Sequence, residues 1–84
     1  MRLLLQQRPE GPEAPRFVQL MLQPDLLGGC TLVREAGQIG GRSTVRREQY
    51  TDRDAAVRAL EQARDQHIKR GFQLMFAQGE EARS

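Results

Sequence analysis

Four arginines in the middle of the chain have the type and spacing that best suit a binding chemistry: Arg34, Arg42, Arg46 and Arg47. A guanidinium presents a planar fork of N–H donors that matches the oxygens of phosphate and carboxylate groups. Residues 31–70 carry nine basic and six acidic side chains, a local net charge of +3, whereas the whole chain carries +2. This cluster predicts either an anion-binding surface, for which nucleic acid is a candidate ligand, or a solvated hairpin that binds nothing.

Other kinds of chemistry have little support in the sequence. One cysteine, Cys30, and one histidine, His67, lie far apart, whereas a metal site needs several converging ligands. We therefore expect no metal and no cofactor, with Cys30 a buried thiol and His67 a packed side chain. The glycine-rich run 37–41 lacks the Gly-Lys-Ser/Thr ending of a phosphate loop. The carboxylates mostly have arginines at helix spacing, so the sequence predicts a protein that is not an enzyme.

Length and cysteine content limit the class of protein. A chain of 84 residues makes one domain with a thin core, which leaves little room for a deep substrate cavity. A single cysteine allows no internal disulfide, and this suits a reducing compartment. No apolar run approaches the ~20 residues of a membrane span, and the first residues lack a secretory signal pattern. We expect a cytoplasmic protein without a membrane partner.

Short runs with alternating apolar and polar residues predict β-strands. In the second run, Val18, Leu20 and Leu22 share one face at a period of two residues. Proline and glycine residues separate the runs and predict turns. The predicted strands cover residues 2–7, 16–23, 30–39, 44–50 and 72–76.

A helical pattern follows the fourth predicted strand. Apolar residues recur at helical spacing between residues 56 and 68, which predicts an amphipathic helix over 52–70. Thr51 and Asp54 have the spacing of a capping box, so Thr51 is the predicted N-cap. Gly71 suits the position just after the helix end.

These elements predict an α+β fold, a small antiparallel sheet of four to five strands packed on one face by a single long helix. One domain is expected over residues 1–77, followed by a disordered C-terminal tail over 78–84. The face of the sheet opposite the helix is expected to be available for binding.

Several spaced segments, spread over roughly residues 2–76, resemble the WGR domain. They are RFVQL at 16–20, QPDLLGG at 23–29, LVRE at 32–35, Gly37, IG at 39–40, RR at 46–47 and KRGF at 69–72. The resemblance, which includes bacterial stand-alone members of the family, implies a small antiparallel sheet with one helix. In eukaryotic poly(ADP-ribose) polymerases this domain helps to recognise broken DNA, so the resemblance implies weak, sequence-independent binding to DNA ends or nicks.

The tripeptide that names the family, Trp-Gly-Arg, is replaced here by Ala36-Gly37-Gln38. In DNA-binding relatives the tryptophan packs against a sugar and the arginine supports that contact. Ala36 cannot stack and Gln38 carries no charge, a loss that we expect to weaken binding by about 2–5 kcal/mol. The predicted nucleic-acid site comprises Arg34, Ala36, Gly37, Gln38, Arg42, Arg46 and Arg47.

The alternative function is that of a protein-interaction module or accessory subunit that has lost DNA binding. An apolar sheet face or an exposed edge strand could pair with a partner chain or with a second copy of this chain.

Overall fold

The fold is a five-stranded antiparallel sheet crossed on one face by a single helix. The computed structural model describes residues 1–79. In chain order its elements are β1 (Arg2–Gln7), β2 (Arg16–Pro24), β3 (Cys30–Gln38), β4 (Ser43–Tyr50), α1 (Arg53–Lys69) and β5 (Phe72–Gln78). The strands lie in the order β4-β3-β2-β1-β5. Helix α1 therefore connects the two edges of the sheet, and the predicted α+β fold is confirmed.

The core lies between α1 and one face of the sheet. Its buried residues come from the alternating positions of three strands and from one stripe of the helix: Leu3, Leu5, Val18, Leu20, Leu22, Cys30, Leu32, Ala56, Leu60 and Ala63. The largest fully buried side chains among them are Leu5, Leu20, Leu32 and Leu60. Because full burial of a leucine contributes about 1.5–3 kcal/mol, these four side chains hold the helix against the sheet. Cys30 is buried and unpaired, as predicted.

The two ends of α1 have different caps. The N-cap is Asp52, whose carboxylate accepts a hydrogen bond from the Ala55 backbone N–H at 2.8 Å. The prediction of Thr51 at this position is wrong by one residue, because Asp52 has the extended backbone of a cap and an acceptor that reaches the first turn. At the other end Gly71, with φ of +96°, follows the C-cap residue Arg70, as predicted.

His67 packs at the end of α1, which confirms the predicted structural role. Its ring meets the Phe72 ring edge-on, with 5.1 Å between the centroids. Its Nδ1 atom lies 2.7 Å from the Ala63 carbonyl oxygen, to which it donates as an N–H. The half-buried ring thus joins α1 to the first residue of β5.

Strand β5 pairs with β1 through a bulge. Leu74 lies opposite Leu5 and Phe76 lies opposite Leu4, so Met75 is an extra residue on the outer strand. The strand extends to Gln78, two residues beyond the predicted end, because the ladder with β1 continues to its first residue. Residues 80–84 of the predicted tail lie outside the described part of the chain.

Candidate nucleic-acid interface

The predicted site lies on the hairpin formed by β3 and β4. Strand β4 is at the edge of the sheet, and seven of its eight residues are exposed, Tyr50 being half-buried. Gly40, with φ of +75°, and a hydrogen bond from the Gly41 N–H to the Gln38 carbonyl close the turn. Because β3 occupies only one side of β4, the backbone N–H and C=O groups on its outer side face solvent.

The four predicted arginines all lie on this one hairpin, but they are divided between the two faces of the sheet and the turn. Arg34 lies directly opposite Arg46, and both belong to the face of the sheet that α1 covers. Arg47 lies opposite Val33, on the open face of the sheet. Arg42 belongs to the turn. The arginines therefore border β4 from both sides and do not form a single patch.

Arg34 is neutralised within the hairpin. Its Nε donates to the Glu48 Oε1 at 2.7 Å, and the two side chains are 32% and 44% exposed. An ion pair with this exposure contributes about 0–1 kcal/mol. It nevertheless offsets the repulsion between Arg34 and Arg46, since like charges at directly opposed positions destabilise a strand pair.

Arg42, Arg46 and Arg47, which we call the hairpin arginines, are exposed. No ion pair joins any of them to another residue in the range 1–79. The second carboxylate of the hairpin, Glu35, accepts a hydrogen bond from the Ser43 hydroxyl at 2.8 Å. The hairpin arginines thus present three positive charges along one edge of the sheet.

The three uncharged residues of the predicted site, Ala36, Gly37 and Gln38, make contacts within the protein. Ala36 is half-buried and packs against the core. At Gly37 a side chain would collide with the Arg42 carbonyl oxygen and lie 2.7 Å from the Ser43 Cα, so only glycine fits. Gln38 donates through its Nε2 to the Ala14 carbonyl at 3.0 Å, which ties the hairpin to the β1–β2 loop. These residues position the hairpin, and none of them carries a charge or an aromatic ring.

The open face of the sheet adds cationic and aromatic groups that the sequence-based site did not include. Strand pairing places Arg2, Met21, Val33 and Arg47 in one row across four strands. At about 4.8 Å per strand, roughly 14 Å separates the backbones of Arg2 and Arg47. The Arg2 guanidinium carbon lies 5.4 Å from the centroid of the Phe76 ring. The alternation within each strand predicts which residues share its face, but only the register between strands brings Arg2 into line with Arg47.

A cleft beside the end of α1 does not resemble a substrate pocket. It is an open space of about 620 Å³ between the β1–β2 loop and the end of α1. Its lining mixes the opposite charges of Arg8, Glu10, Glu13 and Arg70, and each of these four side chains is exposed. Since Arg8 also donates to the Gln73 amide oxygen, with Nε at 2.8 Å, part of this charge is used within the protein.

Over residues 1–79, no group of three or more histidine, cysteine or carboxylate side chains is placed to hold a metal ion. Within the same range, α1 is too short and too polar to cross a membrane.

Comparison of the chain with models of known protein families, with curated proteins and with solved structures finds no match.

Proposed function

We propose that this chain is a non-catalytic binding module that binds nucleic acid through phosphate contacts along β4. The observation that carries the proposal is the exposure of the three hairpin arginines on one edge, without an ion-pair partner among the described residues. Because β4 is the outermost strand, a polyanion lying along this edge can be contacted from both faces of the sheet. Arg46 and Arg47, which point to opposite faces, would then flank it, while outward backbone N–H groups donate to phosphate oxygens.

Contacts of this kind bind without reading sequence. Phosphate contacts fix the position of a nucleic acid but carry no base information. The one aromatic side chain of the hairpin, Tyr50, is half-buried and packs against the core, so it is poorly placed to stack on a base. Three phosphate contacts correspond to a slope of about −2.7 in a plot of log K against log salt concentration. We therefore expect weak binding that is lost at moderate ionic strength.

The resemblance to the WGR domain supports the same function. That resemblance makes DNA with an open end or a nick the preferred ligand to test. In this proposal the β4 arginines take over the contacts that Ala36 and Gln38 cannot make, and these two residues hold the hairpin in place. The lone buried thiol of Cys30 suits a reducing compartment, so we propose a cytoplasmic location. Because the resemblance includes bacterial stand-alone members of the family, we propose a bacterial WGR-like protein.

The proposal is tested by fluorescence-polarisation titration of a labelled, nicked or blunt-ended duplex at two salt concentrations. The triple variant R42A/R46A/R47A is compared with R8A/R58A/R70A, which removes the same number of charges from elsewhere on the surface. We expect the first variant to lose binding and the second to keep most of it. Equal losses in both variants, or no binding by the unmodified protein at low salt, would contradict the proposal.

Protein binding at β5 is the second candidate function. This edge strand carries no charged residue, and Leu74, Met75 and Phe76 are between 42% and 54% exposed. Natural edge strands are usually protected by charge, and an unprotected apolar edge can accept a partner's strand. The bulge at Met75 interrupts the edge and limits the length of such a pairing. This function predicts a partner interaction that Met75→Lys abolishes and R42A/R46A/R47A leaves unchanged.

A further inference from the structure

The turn between β2 and β3 exposes two leucines completely. Leu26 and Leu27 have relative exposures of 103% and 97%, while the next most exposed large apolar residue, Met75, reaches 54%. Single exposed apolar side chains are common on protein surfaces, but adjacent ones at a protruding turn form a contiguous apolar patch. We call residues 25–29 the leucine turn.

The leucine turn has a fixed backbone. The Asp25 carboxylate accepts hydrogen bonds from the Leu27 N–H at 2.9 Å and from the Gly29 N–H at 2.8 Å. The Asp25 N–H in turn donates to the Gly29 carbonyl at 3.0 Å. Gly28 has φ of +88°, a conformation that favours glycine. The two leucines are thus presented in a set geometry, which lowers the entropy lost when they bind a partner.

A cleft whose lining is partly apolar adjoins the leucine turn. It is open, measures about 350 Å³ and is lined by Met1, Leu22, Pro24, Asp25, Gly28, Gly29, Cys30 and Arg53. A cavity of about 150 Å³ lined by apolar side chains holds one benzene molecule. A cleft of roughly twice that volume has room for two leucine side chains. We call it the turn cleft.

We propose that a second copy of this chain binds here, with each copy inserting Leu26 and Leu27 into the turn cleft of the other. In a two-fold symmetric dimer both copies use the same surface patch, so that patch must carry both the projecting group and the cleft that receives the partner's projecting group. This requirement is met because Asp25, Gly28 and Gly29 belong to the leucine turn and also line the turn cleft. Such a contact uses each patch once, so assembly ends at the dimer.

We assign a second copy as the partner because one molecule carries both the two projecting leucines and a cleft that can receive them. Four of the eight residues that line the cleft, Met1, Leu22, Pro24 and Cys30, offer apolar contacts to the leucines. The cleft volume agrees with the two side chains that the turn presents. Two leucines and a rim of turn residues from each copy form a small interface, at the low end of specific protein contacts. We expect a monomer–dimer equilibrium with a Kd on the order of 10 µM. This dimer does not depend on nucleic-acid binding at β4.

Sedimentation equilibrium over concentrations from about 1 to 300 µM, which bracket that Kd, tests the proposal. The double variant L26D/L27D changes only exposed side chains, so it should fold normally and sediment as a monomer throughout. The matched control I39D/I68D also replaces two exposed apolar residues, which lie outside the leucine turn, the turn cleft and β5, and it should dimerise like the unmodified protein. Circular dichroism checks that both variants are folded.

Two further variants test insertion into the cleft. Pro24→Lys places a charge in the turn cleft without altering the leucines and should also prevent dimerisation. Leu27→Trp introduces the sole tryptophan of the chain, whose emission should shift to the blue as concentration rises and the indole leaves water. An unmodified protein that stays monomeric, an L26D/L27D variant that still dimerises, or a dimer lost in I39D/I68D overturns the proposal. So does a Pro24→Lys variant with normal dimerisation, or a tryptophan emission that is independent of concentration.

Discussion

Arg34 and Arg46 lie directly opposite each other on β3 and β4, yet among residues 1–79 a carboxylate pairs with Arg34 and none pairs with Arg46. Glu48, two residues beyond Arg46 on the same strand, forms that ion pair at 2.7 Å. The edge strand β4 therefore supplies both the exposed Arg46 and the Glu48 carboxylate that neutralises Arg34 on β3. The number of arginines available for phosphate depends on this one pair.

Removal of the Glu48 charge should strengthen nucleic-acid binding. In Glu48→Gln the Arg34 guanidinium loses its carboxylate and becomes a fourth contact. The slope of log K against log salt should then change from about −2.7 to about −3.6. Polarisation titrations across a salt series measure both slopes.

Glu13→Gln is the control for that measurement, because it makes the same change of charge in the exposed β1–β2 loop. A small rise in affinity with an unchanged slope is expected. If both variants showed the same slope, the increase would reflect net charge alone, and the availability of Arg34 would not matter.

Gly37→Ala should destabilise the hairpin. The added Cβ would collide with the Arg42 carbonyl oxygen and lie within 2.8 Å of the Ser43 Cα and Cβ. Overpacking of this kind costs about 1–3 kcal/mol of unfolding free energy. Urea denaturation followed by circular dichroism measures the loss. In the matched variant Gly41→Ala the nearest atoms lie at 3.5 Å, and the midpoint should barely move; an equal loss there would refute the steric argument.

Asp52→Ala should weaken α1 at its start. Loss of the hydrogen bond to the Ala55 N–H removes the N-cap, at a cost of about 0.5–2 kcal/mol. Thr51→Ala removes the side chain at the position that the sequence favoured as the cap, and it should change stability much less. Thermal or urea unfolding compares the two variants. A greater loss in Thr51→Ala would show that the cap lies one residue earlier.

The sequence predicted the fold well because alternation and helical spacing are local signals. The period of two in β2 placed Val18, Leu20 and Leu22 on one face, and all three are buried. The helix bounds followed in the same way from the spacing around Leu60. The predicted N-cap, Thr51, was wrong by one residue, since Thr51 and Asp52 both carry acceptor side chains and only the backbone conformation decides between them.

The candidate site was harder to predict because it depends on register and on long-range contacts. Local alternation separates Arg46 from Arg47, but only the pairing of β3 with β4 sets Arg34 opposite Arg46 and within reach of Glu48. The bond from Gln38 to the Ala14 carbonyl spans 24 residues, and no local pattern indicates it. The sequence placed Leu26 and Leu27 in a turn between two predicted strands, but no local pattern indicates that both side chains are completely exposed.

A chemical-shift map against a short duplex with an open end tests the central claim most directly. Backbone amide signals of the uniformly labelled protein are followed as duplex is added at low salt. Binding along β4 predicts that the largest shifts fall on Ser43–Tyr50 and on the turn that contains Arg42, with α1 and β5 unaffected. Shifts confined to α1 or β5, or none at any duplex concentration, would contradict it.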